Sequence, residues 1–268
     1  MSKNIDPLEE TKTIIKQAFP GDKAIAHVDE IMEFIKANRI AWNADESSRK
    51  LSIAFLDEAD RDLKSCRALY QKKIYPHAVY HLQQAVEKAM KGYCLGLGIL
   101  SIQEIRSHDT PYVLLKGLFE NTGMKTLLQS LSEDAKDRLD KAWEAIEKPE
   151  KRLEIARMPF EQIMDSLDDI DDYKRKSERI GVLLIQLAAN VKGKSESLPS
   201  EIATISVMAS LYILGSVSFP HEEFTRYPDG QMTPTEYAPK LGIVKAIPKM
   251  IDYLASAVKD LRHTLTWT

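Results

Sequence analysis

Apolar residues recur every three or four positions along most of the chain, which is the spacing of one buried face of a helix. The repeat is clearest between residues 49 and 97, where "KKIYP" separates two such faces. The first face contains Ile53, Leu56, Ala59, Leu63, Cys66 and Tyr70, and the second contains Val79, Leu82, Ala85, Val86, Ala89, Met90 and Tyr93. Pro76 suits the first turn of the second helix. The pattern predicts an antiparallel helical hairpin, loosened at its far end by Gly92, Gly96 and Gly98.

The rest of the chain also has a helical period, and no segment alternates with the period of a strand. The predicted helices are two short ones before residue 48, one starting near Pro111, two longer ones at 125–148 and 159–192, one at 202–219 and one at 239–263. Pro248 should bend the last helix or restart it. We therefore predict an all-α antiparallel helical bundle.

The segment from Ile202 to Phe219 contains no charged residue. Its length is marginal for a membrane span, and no cluster of Lys or Arg flanks it closely. We expect a central helix that other helices bury on all sides, and no membrane association. Because the N-terminus lacks the apolar core of a signal peptide, we expect a cytoplasmic protein.

Composition and charge restrict the possible functions. The net charge is −3 and 29% of the residues are charged, which argues against a protein that coats nucleic acid by bulk charge but permits a local basic groove. Cys66 and Cys94 each lie within an apolar helical pattern, so we expect two buried, reduced thiols. The chain contains none of the common phosphate-binding, metalloprotease or hydrolase motifs, and we predict no cofactor.

The second helix of the hairpin carries an unusual polar row, consisting of His77, His81, Gln84, Lys88 and Lys91 at steps of three and four. Three interpretations remain open: a solvated or bundle-internal face, a contact with a second copy or a partner, and a contact with nucleotide or RNA. The spacing of His77 and His81 would also suit a metal ion. No third ligand is placed beside them by the sequence, so we predict no metal site.

The hairpin resembles the start of a HEPN domain. The matching residues are Ala59, Asp62, Leu63, Cys66, Leu69, Tyr75, Ala78, Gln84, Ala85, Glu87, Lys88 and Lys91. That family also tends to place a His-Asp motif after the hairpin and an Arg-Tyr-Pro-Asp motif before the last helix. Here the first is similar to His108-Asp109 and the second to residues 226–229.

The resemblance implies a four-helix bundle, commonly dimeric, that takes part in nucleotide or RNA transactions. It divides the chain into an N-terminal helical extension (1–48), the HEPN-like hairpin with the following loop and helix (49–123), a helical insertion (124–215) and the loop and closing helix of the bundle (216–268). It further implies a role in prokaryotic defence or a toxin–antitoxin system, with a nucleotidyltransferase or an antitoxin as partner.

Ribonucleases of the broader superfamily carry an Arg followed by a His after four to six residues, and this chain has no such pair. A nucleotide-, RNA- or partner-binding protein is therefore our first hypothesis, with Tyr227 and Asp229 joining His81, Gln84, Lys88 and Lys91 as contact residues. The second is a divergent metal-independent endoribonuclease with a composite site of His108, His221 and Arg226. The last two could equally hydrogen-bond their own loop. A purely structural interaction protein is the third hypothesis.

Overall fold

The structure is a computed structural model that describes residues 44–98, 100–106, 148–171, 174–175, 198–227 and 232–266. The described helices are α1 (Glu46–Gln71), α2 (Tyr75–Gly96), α3 (Pro149–Ala156), α4 (160–171), α5 (Leu198–Ser218), α6 (His221–Phe224) and α7 (Gly242–Thr266). No strand occurs within these ranges. The all-α prediction is confirmed. The helices predicted before residue 44 and those predicted between residues 107 and 147 lie outside the described residues.

Defined caps bound the two helices of the hairpin, α1 and α2. Asp45 caps α1, because its Oδ1 accepts a hydrogen bond of 2.7 Å from the backbone N–H of Ser48. At the other end Lys73 has a φ of 60°, and the N–H of Ile74 donates to the carbonyl of Leu69 at 2.9 Å. This is a Schellman ending with lysine at a position that glycine usually occupies. Pro76 then lies in the first turn of α2.

The core joins this hairpin to α5 and α7, making a four-helix bundle to which the remaining helices are added. Every residue predicted for the apolar face of α2 is buried, as are Leu56, Ala59, Leu63 and Cys66 of α1. Residues 207–218 of α5 are buried without interruption, which agrees with the predicted central helix. No helix in the described part of the chain combines the length and apolarity that crossing a membrane requires.

The closing helix α7 runs antiparallel to α1. Arg262 near its end pairs with Asp57 and Asp60 of α1, at 2.8 Å in both cases, whereas Asp252 pairs with Arg67 near the other end of α1 at 3.7 Å. The sequence predicts a bend or a restart at Pro248; α7 is continuous through it, so the restart does not occur and the bend stays a prediction. A proline inside a helix removes one intrahelical hydrogen bond and crowds the carbonyl four residues earlier, at a cost of about 3 kcal/mol. The packing of α7 against three core helices outweighs that loss.

The predicted loosening by Gly92 and Gly96 is wrong, because these glycines let α1 and α7 approach α2 closely. A Cβ atom on Gly92 would lie 2.8 Å from Leu56 Cδ2, and one on Gly96 would lie 2.6 Å from Leu265 Cδ2. Ser52 of α1 uses the same close approach to donate a hydrogen bond of 2.6 Å to the carbonyl of Gly92. The far end of the hairpin is therefore tightly packed.

The segment from residue 148 to residue 171 packs against the second half of the chain. Arg152 pairs with Glu223 at 3.1 Å, and the Lys245 ammonium lies 5.7 Å from the ring centroid of Phe160. Gly242, at the start of α7, leaves no room for a Cβ atom beside the carbonyl of Met158. α3 and α4 thus contact α5, α6 and α7. The domain boundaries at residues 49, 124 and 216 stay a prediction.

Candidate functional site

The middle of α2 exposes a single narrow face. From Ala78 to Lys91 every residue is buried except Tyr80, His81, Gln84 and Lys88, which we call the α2 face. These four lie along one side of the helix because they follow steps of three and four residues. His77 continues the same line one turn earlier and is exposed. His81, Gln84 and Lys88 of the predicted polar row therefore lie on the one strip of this stretch of α2 that the bundle leaves accessible, whereas Lys91 of that row is buried.

Asp62 of α1 joins two members of the α2 face. Its Oδ1 lies 2.8 Å from Nδ1 of His81, and its Oδ2 accepts a hydrogen bond from Nζ of Lys88. The Asp62 side chain is 12% exposed, whereas His81 and Lys88 are exposed by 29% and 27%. A carboxylate that is mostly removed from water gains from two charge-assisted or polar partners. It holds both side chains at fixed positions on the face.

A second polar network lies deeper along α2. Glu87 accepts hydrogen bonds from the amides of Gln83 and Gln84, each at 3.3 Å, and pairs with Lys91 at 2.9 Å. The Gln84 amide also donates to Oε1 of Gln83 at 2.7 Å. Glu87 and Lys91 are both buried. Lys91, although predicted as a contact residue, is therefore part of an internal ion pair with little surface for a ligand.

Arg226 and Tyr227 adjoin the α2 face from the segment after α6. The Arg226 guanidinium lies 6.0 Å from the ring centroid of Tyr80 and 5.4 Å from that of Tyr227. Its Nη2 donates to Oε1 of Glu222 at 2.8 Å, and its Nε donates to the Glu222 carbonyl at 3.0 Å. Tyr80 in turn packs edge-on against His81, with centroids 5.4 Å apart. Arg226, Tyr80 and His81 thus form one continuous group.

His221, predicted as a catalytic candidate, lies inside the protein. It has no exposed surface, and its Nδ1 lies 2.8 Å from the hydroxyl of Tyr237. Desolvation lowers the pKa of His221 to about 3, so the ring is neutral at ordinary pH. Burial likewise raises the pKa of the Tyr237 hydroxyl, which favours its role as a hydrogen-bond donor. This arrangement agrees with the structural alternative, in which His221 forms a hydrogen bond within its own loop.

The structure brings together some of the predicted site residues and leaves others unplaced. His81, Gln84, Lys88, Arg226 and Tyr227 lie on adjoining parts of one surface. The remaining two candidates, His108 and Asp229, lie outside the described residues. Asp62 and Tyr80 were not among the predicted site residues. The charge of Asp62 within an apolar helix face was a signal that a partner on α2 would be needed.

The two cysteines and possible metal ligands add no chemistry to this surface. Cys66 and Cys94 are free and buried, as predicted. Desolvation raises the pKa of the Cys66 thiol to about 12 and raises that of Cys94 as well, so neither is a reactive thiolate. No cluster of three or more His, Cys, Asp or Glu residues suited to a metal ion occurs in the described ranges.

Comparisons with known proteins agree with the fold. The family model of the HEPN domain matches residues 54–170, which begin in α1 and end in α4. The protein named "Putative toxin MJ1304" from Methanocaldococcus jannaschii is 27% identical over 128 residues, which cover 47% of this chain and 76% of that relative. No solved structure matches the chain. Residues 54–170 of the chain therefore match the HEPN domain family.

Proposed function

We propose that this chain is a toxin-type HEPN protein that binds single-stranded RNA on the α2 face together with Arg226 and Tyr227. The similarity to a M. jannaschii protein named as a toxin supports the toxin type. The RNA ligand is inferred from the charge, the exposed aromatic surface and the hydrogen-bonding groups at this end of the hairpin. Each of these features is typical of proteins that bind single-stranded nucleic acid.

The turn end of the hairpin is basic although the whole chain is acidic. Residues 63–86 contain four Lys or Arg residues and no Asp or Glu, in a chain whose net charge is −3. The acidic residues that flank this stretch, Asp62 and Glu87, are both engaged with cations of α2. Because Arg67 pairs with Asp252 of α7, Lys64, Lys72 and Lys73 are the cations that this stretch offers to a phosphate backbone.

The observation that carries the proposal is the position of the Arg226 guanidinium, 6.0 Å from the ring centroid of Tyr80 and 5.4 Å from that of the exposed Tyr227. Tyr227 is 53% exposed, although large apolar side chains usually avoid water, and Arg226 retains 37% of its side-chain surface. RNA bases stack on tyrosine rings and on guanidinium planes. A base on Tyr227 would place its phosphate and ribose near Arg226, Tyr80 and His81.

Fluorescence anisotropy with a labelled single-stranded RNA tests the proposal. Because each base–aromatic stack is worth about 1–3 kcal/mol, Tyr227→Ala should weaken binding by roughly 5- to 150-fold. Arg226→Ala should weaken binding and also lower the slope of log affinity against log salt. Lys50→Ala is a matched control. Lys50 pairs with Glu46, four residues earlier, as Arg226 pairs with Glu222, but it lies at the end of α1 that is far from the hairpin turn.

The proposal predicts that Lys50→Ala binds RNA as the wild type does. Equal affinity of the wild type, Tyr227→Ala and Arg226→Ala would contradict it. Induced expression in a bacterial host gives an independent readout of the toxin type, because we expect growth arrest with the wild type and recovery with the double variant of Arg226 and Tyr227.

The alternative, an endoribonuclease site, could still use Arg226, but it also needs a general base that can reach the substrate. His221 has no surface from which to reach a substrate, and His108 lies outside the described residues. We therefore favour binding over cleavage. The further roles that the HEPN resemblance implies, namely defence, homodimer formation and pairing with an antitoxin or a nucleotidyltransferase, stay predictions.

A further inference from the structure

We infer that His81 and Gln84 recognise the ribose 2′-hydroxyl, so that the α2 face distinguishes RNA from DNA. The inference rests on the proposed function and adds a specificity to it. It follows from the contacts that Asp62 and Glu87 make with these two side chains, which leave one hydrogen-bond acceptor on each of them.

Asp62 fixes the tautomer of His81. The carboxylate of Asp62 only accepts hydrogen bonds, and its Oδ1 faces Nδ1 of His81 at 2.8 Å. Nδ1 therefore carries the proton, and Nε2 of the neutral ring is an acceptor. Within the described part of the chain Nε2 has no hydrogen-bond partner, and the side chain is 29% exposed. The ring thus presents an acceptor to solvent.

Glu87 fixes the orientation of the Gln84 amide in the same way. The Gln84 Nε2 group lies 3.3 Å from Glu87 Oε2 and 2.7 Å from Gln83 Oε1. Both of these oxygens are acceptors, so the amide nitrogen must face them. Oε1 of Gln84 accepts no hydrogen bond from the described residues. Gln84, like His81, therefore offers a hydrogen-bond acceptor on the α2 face.

The two acceptors lie between two cations. His81 and Gln84 are three residues apart and so are neighbours on the helix surface. Lys88 follows Gln84 by one turn, and Arg226 adjoins the preceding turn through Tyr80. An RNA backbone that contacts Arg226 and Lys88 would carry its 2′-hydroxyls past both acceptors. A hydroxyl donates to such groups, whereas deoxyribose leaves them without a partner.

The experiment compares binding of oligouridine and oligodeoxyuridine of equal length, which differ only in the 2′-hydroxyl, at pH 8. We expect the wild-type protein to bind oligouridine about tenfold or more tightly. His81→Phe and Gln84→Leu should each reduce this preference to about threefold or less. Circular dichroism checks that each variant is folded. If one variant does not fold, the other still tests the inference.

Equal affinity of the wild type for both oligonucleotides would overturn the inference, as would a preference that survives in both variants. The proposed function has a separate criterion. If Tyr227→Ala and Arg226→Ala still weaken binding to both oligonucleotides, nucleic-acid binding on this surface stands while the 2′-hydroxyl specificity is wrong. If neither oligonucleotide binds the wild type, both are wrong.

Discussion

Asp62 of α1 and His81 of α2 face each other across the hairpin, with 2.8 Å between Oδ1 and Nδ1. This contact belongs to the packing of the two helices and to the accessible surface at the same time. Lys88 also donates to the Asp62 carboxylate, so this one acidic residue positions two candidate ligand contacts of α2, His81 and Lys88. Fold stability and ligand binding are therefore coupled at this position.

Replacing Asp62 should be costly. Asp62→Ala removes the partner of two half-buried groups, and we expect a loss of about 1–3 kcal/mol in the free energy of unfolding, measured by urea denaturation. Glu58→Ala is the control, because Glu58 pairs with Arg61 on the exposed side of the same helix. That variant should change stability by about 0.5 kcal/mol or less. Equal effects of the two changes would show that the Asp62 contact contributes nothing.

Lys73 should be replaceable with a gain in stability. Its φ of 60° is costly for a residue with a side chain, by roughly 1–2 kcal/mol, whereas glycine adopts that conformation freely. We expect Lys73→Gly to raise the urea midpoint, with a net gain of about 1 kcal/mol after the entropy of glycine is deducted. Its neighbour Lys72 has a φ of −81°, so Lys72→Gly should give no gain. A loss of stability in Lys73→Gly would contradict the Schellman ending.

Gly92 should not tolerate even one added methyl group. An alanine there would place its Cβ 2.8 Å from Leu56 Cδ2 and 3.2 Å from the carbonyl of Ser52. We expect Gly92→Ala to destabilise the protein by about 1–3 kcal/mol, despite the higher helix propensity of alanine. Urea denaturation decides whether the steric clash or the helix propensity of alanine dominates. A stabilised variant would mean that α1 and α2 are not in close contact at this point.

His221 should make stability fall in acid. Its pKa is about 3 in the folded protein against an ordinary value of 6.5, so only the unfolded chain takes up a proton between these values. The stabilising contribution is complete above pH 6.5 and declines by up to about 1.4 kcal/mol per pH unit as the pH falls towards 3. Urea denaturation at pH 7, 6 and 5 measures it.

His221→Gln should lack this part of the pH dependence, while His77→Gln, which changes an exposed ring, should keep it. The readout is the slope of unfolding free energy against pH, so a uniform loss of stability in His221→Gln does not affect it. Parallel curves for the wild type and His221→Gln would mean that the ring is not buried and neutral.

Periodicity predicted the parts of the fold that depend on local pattern. It identified the faces of α1 and α2, because helix burial repeats along the sequence. The uncharged run from Ile202 to Phe219 indicated the buried helix α5, and Pro76 indicated the first turn of α2, which begins at Tyr75. It misjudged Gly92 and allowed a restart at Pro248 that does not occur, since the effects of both residues depend on which helix packs against them. The polar row was visible in sequence, but Lys91 could not be told from Lys88, because only the three-dimensional structure shows that Glu87 holds the former inside.

The site was harder to predict than the fold. Asp62 and Tyr80 act through partners that are distant in sequence or come from another helix. His221 appeared to be a suitable base until its burial was known. Residue type and spacing indicate what a side chain can do, whereas its accessibility depends on tertiary packing.

Ultraviolet cross-linking of single-stranded RNA to the wild-type protein, followed by mass spectrometry of the linked peptides, tests the central claim most directly. The account predicts that the main cross-links lie at Tyr227 and Tyr80, and that Tyr227→Phe retains them whereas Arg226→Ala loses most of them. Cross-links concentrated instead on α3, α4 or the exposed side of α7, and unaffected by Arg226→Ala, would contradict an RNA site on the α2 face.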